Sequence, residues 1–313
     1  MKSIIRYPMK LKLQQLVLYS ALFAAVAHAN HAMEGPPIAI VHVFASGENG
    51  IFANAYFVET AEHVVAIDST LLESTSRALH EQIVALGKPL QAVLLTHGHP
   101  DHYNGVTNLI AGAVIDVIAT ADTDRVIRES DAIKEKLWTP VFGAEWPKHR
   151  TFPNRILPDG DSLIIDGVTF TVHLLGPGES HADSYWVMND GHRKVAFIGD
   201  VVIHGAHAYV TDGHTAAWLR NLDRVAADLK DVAKLYPGHG ESGGLELLDD
   251  QRNYLREYRN TVRSLAHGQP ALTELQKKEL VAHMTTFLPT KNLEFLIPLG
   301  ADSVAAELAT EVK

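Results

Sequence analysis

Residues 96–102 read "THGHPDH", so four of seven positions (His97, His99, Asp101 and His102) carry side chains able to bind a divalent metal. Two histidines at i and i+2 on an extended turn can face one ion, while Asp101 and His102 bend away toward a second. Gly98 and Pro100 keep such a turn compact and non-helical. An ordinary polar turn rarely holds three histidines and an aspartate within six residues, so a metal cage is the better reading. Just before it, "QAVLLTHGH" is a nearly continuous apolar run, as expected of a strand buried on both faces. The motif therefore falls at a strand's C-terminal end, where layered α/β folds place their chemistry.

Outward from that point, strand and helix patterns alternate. "IAIVHVFAS" (38–46), "GIFANAYFVET" (50–60) and "HVVAIDST" (63–70) read as successive strands. Residues 74–87 read as a helix, with Leu79, Ile83 and Leu86 on one face and Gly87 at its end. A strand at 113–120 precedes helical sequence to about Trp138. Residues 139–160, rich in Pro, Trp and His, are expected to form a covering loop. Strands follow at 162–167, 168–176, 184–190 and 194–203, then an amphipathic helix at 216–230 and a last strand in "KLYPGHG" (234–240). From about Leu245 the texture is helical, and Thr273 with Gln276 forms a capping-box start. That tail is expected to pack on the core, with a lid or a homodimer contact as alternatives.

One cluster cannot fill two coordination spheres. Three further candidates sit beside apolar strands in Gly-containing turns: His181 in "GPGESHADS", Asp200 in "FIGDVV" and His239 in "YPGHG". Singly, each reads as a polar turn residue; in this order after the cluster, they read as a set. The whole pattern resembles the metallo-β-lactamase superfamily, whose signature is T-H-x-H-x-D-H followed by separated His, Asp or Cys, and His. The match runs from about residue 38 to 244, with Asp68 in "VAIDST" as the first motif.

That resemblance implies an α/β fold, a four-layer αββα sandwich of two mixed sheets with helices outside and a C-terminal helical extension. Together with the basic and apolar start and the helical texture from Leu245, the expected division is 1–29 signal peptide, 30–244 catalytic domain and 245–313 helical extension. The resemblance also implies two divalent metal ions, Zn²⁺ by preference and Fe or Mn as alternatives. His97, His99 and His181 would hold the first, Asp101, His102 and His239 the second, and Asp200 would bridge them. A metal-bridging hydroxide would be the nucleophile. Asp101 and Asp68 would be the catalytic carboxylates, Asp101 orienting the nucleophile and shuttling a proton, Asp68 orienting the metal site from outside it. His204, in the loop after Asp200, is a candidate substrate contact. Tyr103, Trp138, Phe142, Trp146 and Tyr209 could line an apolar pocket, with core packing the plainer role for most. The residue after His181 is Ala182 where many relatives have Thr, so the hydrogen bond that Thr would make is missing.

Charge and composition narrow the reaction. The formal net charge is −10 although Lys2, Arg6, Lys10 and Lys12 are the only charges before Glu34, so the rest is more acidic still. Such a surface repels phosphate backbones and argues against nucleic acid as a partner. The basic start, the apolar run Leu16–Val26 and Ala27-His28-Ala29 read as a signal peptide cleaved after Ala29. The run is too short to span a bilayer, so a periplasmic or secreted protein without a stable membrane anchor is expected. There is no Cys, hence no thiolate ligand. The best-known zinc β-lactamases carry Cys where Asp200 stands; Asp there is the pattern of glyoxalase-II-type thioesterases and lactonases. The expectation is an exported dinuclear hydrolase, lactonase-like, that opens an ester, lactone or amide bond in a small-molecule substrate. The alternatives are a β-lactamase with Asp in place of Cys, and a catalytically silent metal-binding protein.

Overall fold

Strand β2 (Asn54–Glu59) shows how the layers are built, because its successive side chains leave on opposite faces. Tyr56 and Val58 enter a core shared between two sheets, while Ala55 and Phe57 enter a second core beneath helices. In the computed structural model, which describes residues 38–311, both faces are covered and the strand is buried almost throughout. The expected signal segment at residues 1–29 lies outside the described residues.

The first sheet runs β1 (Ile40–Ala45), β2, β3 (Val64–Ile67), β4 (Leu90–Leu94), β5 (Asp116–Ala119) and β6 (Arg155–Ile156). Its first three strands pair antiparallel and its last four parallel. The second sheet runs β11 (Lys234–His239), β10 (Lys194–Ile203), β9 (Asp183–Asn189), β8 (Val168–Gly176) and β7 (Ser162–Ile165), antiparallel except for the β10–β11 pair. Between the sheets, Ile67 and Leu94 of the first meet Phe170, Trp186 and Phe197 of the second. Helices cover the outside. Leu79 and Ile83 of α1 (Glu73–Ala85) pack on the first sheet with Ile127 of the helix Ala121–Phe142. On the second sheet, the helix Thr215–Asp228 buries Trp218 and Leu222, and the helix Glu246–Ala266 buries Leu255 and Tyr258. This is the αββα sandwich.

Two short helices follow β4, α2 (Pro100–Tyr103) and α3 (Val106–Ile110), and then α4 (Ala121–Phe142). The Thr120 hydroxyl caps α4, accepting from the Thr123 N–H at 3.1 Å. Residues 139–160 are not one loop. Helix α4 continues through Pro140 to Phe142, a 3₁₀ turn covers Gly143–Glu145, and β6 adds a parallel edge strand. Proline in the last helical turn removes only one hydrogen bond, so it did not end the helix where its composition suggested. Beyond α5 (Thr215–Asp228) and β11 come α6 (Glu246–Ala266), α7 (Glu274–Phe287), α8 (Leu296–Leu299) and α9 (Ala301–Glu311). The Thr273–Gln276 capping box opens α7. The Tyr258 hydroxyl donates to the Ile297 carbonyl at 2.5 Å, tying α8 to α6.

Candidate metal centre

The loop after β4 carries Thr96 to His102, and it is fastened before any ligand is considered. Asp68, at φ +59° directly after β3, accepts from the Thr96 N–H and the Thr96 hydroxyl, each at 2.8 Å. The Thr96 carbonyl accepts from the Ser184 N–H at 3.0 Å, and the Leu95 carbonyl from the Trp186 indole at 3.0 Å. Asp68 also lies 2.9 Å from His102 Nδ1, which turns Nε2 of that ring inward. This is the outer support that orients a metal-binding imidazole.

Two buried groups of ligand atoms result, each drawn together within 4.8 Å. One holds His97, His99, Glu179 and Asp200; the other holds Asp101, His102, Asp200 and His239. Asp200 belongs to both, its Oδ1 3.2 Å from His102 Nε2 and its Oδ2 3.2 Å from His239 Nε2 and 4.0 Å from His97 Nε2. Asp101 Oδ2 stands 3.3 Å from His239 Nε2 and 3.4 Å from His102 Nε2. Gly238 makes this packing possible, since a Cβ there would lie 1.8 Å from Asp200 Oδ1.

His181 is not brought into either group, contrary to the sequence reading. Its side chain is 56% exposed, with Nδ1 2.7 Å from His214 Nε2 and Nε2 3.7 Å from Asp212 Oδ2. Glu179, two residues earlier, takes the place, 2.9 Å from His99 Nδ1 and 3.6 Å from His97 Nε2. The turn explains the exchange. The Asp183 carboxylate accepts from the Glu179 N–H (2.6 Å), the Ser180 N–H (3.1 Å) and the Ser180 hydroxyl (2.5 Å). That closure directs Glu179 inward and leaves His181 on the rim. It also requires Gly178, where a Cβ would lie 2.5 Å from Asp183 Oδ2.

The donor set fits divalent cations. His97 Nε2, His102 Nε2, both Glu179 oxygens and Asp200 Oδ1 are buried without a hydrogen-bond partner, and buried polar atoms are seldom left so. Burial pushes the Glu179 carboxyl up to about 8, with His99 acting against it. Burial also disfavours a charged Asp200, yet His239 and His102 outweigh it and hold the carboxyl well below the usual range. Three carboxylates and four imidazoles converging on one buried point form an environment that a cation neutralises.

Asp212, which carries no sequence signal, supports His99 as Asp68 supports His102: its Oδ2 is 3.4 Å from His99 Nε2. The Tyr209 hydroxyl donates to Asp212 Oδ1 at 3.2 Å. Lys134, also unmarked in the sequence, reaches from α4 to donate to the Gly98 carbonyl at 2.9 Å. His204 does not reach the centre; it borders a separate hollow beside Gly240, with Nδ1 3.0 Å from the Glu241 carbonyl. Trp138, Phe142 and Tyr209 do line the cavity above the ligands, whereas Tyr103 and Trp146 are core residues.

Residues 49–239 match the family model described as the metallo-beta-lactamase superfamily. A hydroxyacylglutathione hydrolase of Aeromonas salmonicida is 29% identical over 163 residues, 51% of this chain and 51% of that protein. One from Prochlorococcus marinus is 26% identical over 237 residues, covering 74% and 83%. Against its first curated matches the chain spans about half of the relative's length, 48%, 49% and 51%. Among solved structures, a metallo-beta-lactamase family protein of Thermus thermophilus superposes with a TM-score of 0.62 at 22% identity, over 87% of this chain and 93% of that one.

Proposed function

This chain belongs to the metallo-beta-lactamase superfamily, and on that premise we propose that it is an exported metal-dependent hydrolase opening an ester, lactone, thioester or amide bond in a small molecule. The observation that carries this reading is Asp200 shared by two buried ligand groups on the floor of one cavity. A divalent pair held there would polarise a carbonyl and bring the pKa of water down toward about 7. Imidazole donors suit Zn²⁺, and the added Glu179 oxygens also suit Mn²⁺ or Fe²⁺.

The chain's own residues supply the rest. Asp68 and Asp212 hold the His102 and His99 rings, and Asp101 borders the cavity, placed to take a proton and pass it to a leaving group. Tyr209, Trp138 and Phe142 cover the floor and limit water, which strengthens every charge interaction beneath them. The relatives' names raise a glutathione thioester as one candidate substrate; the N-terminal segment, if it exports the chain, points to other esters and lactones. The test uses purified protein stripped by chelator and reloaded with Zn²⁺, Mn²⁺ or Fe²⁺. Hydrolysis of at least one lactone, ester, thioester or lactam probe should return with metal, and should be lost in Asp200→Ala. No hydrolysis of any probe with any of the three metals would overturn the reading.

A further inference from the structure

We propose that the substrate has an apolar acyl or aryl body and at most one anionic group, which excludes glutathione thioesters, with their two carboxylates and one ammonium, and polyanions. The proposal rests on the hydrolase reading and narrows it. The cavity over the two ligand groups has a volume of about 110 Å³ and is partly open to solvent, so a bound small molecule would extend from the ligand floor toward the mouth. His99, Asp101, Glu179, Asp200 and His239 form its polar floor.

The walls are of another character. Lys134, Trp138 and Phe142 recur every four residues along α4, so one helix face supplies a cation nearest the floor and two aromatic rings beyond it. Those rings lie 6.0 Å apart, centroid to centroid. Leu71 and Ile203 come from the two sheets' loop and strand ends, Leu293 and Phe295 from the segment leading into α8, and Leu296 from its first position. Phe295 is half exposed although large and apolar, a surface that a bound apolar group would cover.

Charge argues the same way. Among the described residues lining the cavity, Lys134 is the one lysine or arginine. Its ammonium already donates to the Gly98 carbonyl and has Asp212, Asp101 and Glu179 among its charged neighbours. A glutathione thioester brings two carboxylates, and recognising both calls for cationic partners that these walls do not offer. A single anionic or carbonyl oxygen can be met by Lys134; the remainder of the ligand meets hydrocarbon.

The experiment compares p-nitrophenyl esters and alkyl-substituted butyrolactones of increasing chain length with S-lactoylglutathione on the metal-reloaded protein. We expect kcat/KM to rise about fourfold per added methylene until the cavity is filled, and S-lactoylglutathione to be at least about a hundredfold poorer than the best ester. Trp138→Ala and Phe295→Ala should each flatten the chain-length dependence. Flat dependence in the parent protein, or preference for S-lactoylglutathione, overturns the proposal while leaving the hydrolase reading intact. Should no probe be hydrolysed, the hydrolase reading fails, and the cavity is judged separately by calorimetric titration with carboxylates from acetate to decanoate. Affinity that rises with chain length sustains the apolar site; affinity independent of it ends the proposal.

Discussion

Glu179 reaches the first ligand group because Asp183 closes the turn beneath it, and this makes the two neighbouring candidates separable by mutation. Glu179→Ala should lower the metal bound per chain, read by inductively coupled plasma mass spectrometry. His181→Ala should leave the stoichiometry unchanged, because its ring stands on the rim against His214. Equal losses in both variants would return His181 to the coordination sphere. Asp68→Asn should weaken metal binding about 10–100-fold in a competitive chelator titration, since it loosens the His102 ring without removing a ligand. "THGHPDH", Asp200 and His239 could be read only as a set, from their order at successive strand ends, since Asp200 and His239 singly suit a polar turn. Glu179 and His181 could not be told apart that way. Both are metal-binding types in one turn, and the choice depends on Asp183 hydrogen bonds and the bare Gly178 backbone, which no periodicity reports.

Elements were legible where burial imposes a period. The alternation in "VTFTVHLLG" corresponds to Val168, Phe170 and Val172 buried between the sheets, with the intervening residues partly exposed. The end of α4 was not, because Pro, Trp and Phe suit a loop and a last helical turn equally well; there, tertiary contact of Trp138, Phe142 and Trp146 with Leu71 and Leu72 decides. The segment Gly205–Val210 shows a different dependence, on protonation. His207 is buried, its backbone N–H donating to the Asn292 carbonyl and its ring lying 3.2 Å from the Tyr254 hydroxyl and 3.3 Å from the Thr290 carbonyl. Burial lowers its pKa below the ordinary imidazole value, against the Thr290 carbonyl and Glu294 and with Lys291. The unfolded chain therefore binds the proton first as pH falls through about 6.5. Stability that is full above that value is lost below it, by at most about 1.4 kcal/mol per pH unit from this group. Urea denaturation between about pH 7.5 and 5.5 should show a smaller slope in His207→Gln than in the parent. Parallel slopes would place the titration elsewhere.

At the scale of the molecule, the candidate centre lies on the seam of the sandwich. His97 to His102 belong to the first sheet's loop, while Asp200 and His239 lie on strands of the second sheet and Glu179 in the turn between β8 and β9. Direct polar bonds already cross nearby: the Tyr56 hydroxyl reaches the Pro237 carbonyl, the Asn54 amide the Pro237 and Gly240 carbonyls, Ser184 the Thr96 carbonyl and the Trp186 indole the Leu95 carbonyl. A cation held by both sets would add a further link between the sheets and a countercharge for buried carboxylates otherwise faced by imidazoles and the Lys134 ammonium. Metal binds the folded chain through groups that unfolding scatters, so free metal at a hundred times its dissociation constant should stabilise by about 2.7 kcal/mol. For a domain of this size that corresponds to a melting temperature about 5 °C higher. Adding a chelator should therefore lower the melting temperature by that amount in calorimetry, and His239→Ala should shrink the difference between the metal-loaded and chelated forms. If the chelated parent melts with the loaded one, the sheets hold together on their apolar core and the ligand set contributes to chemistry without contributing to the fold.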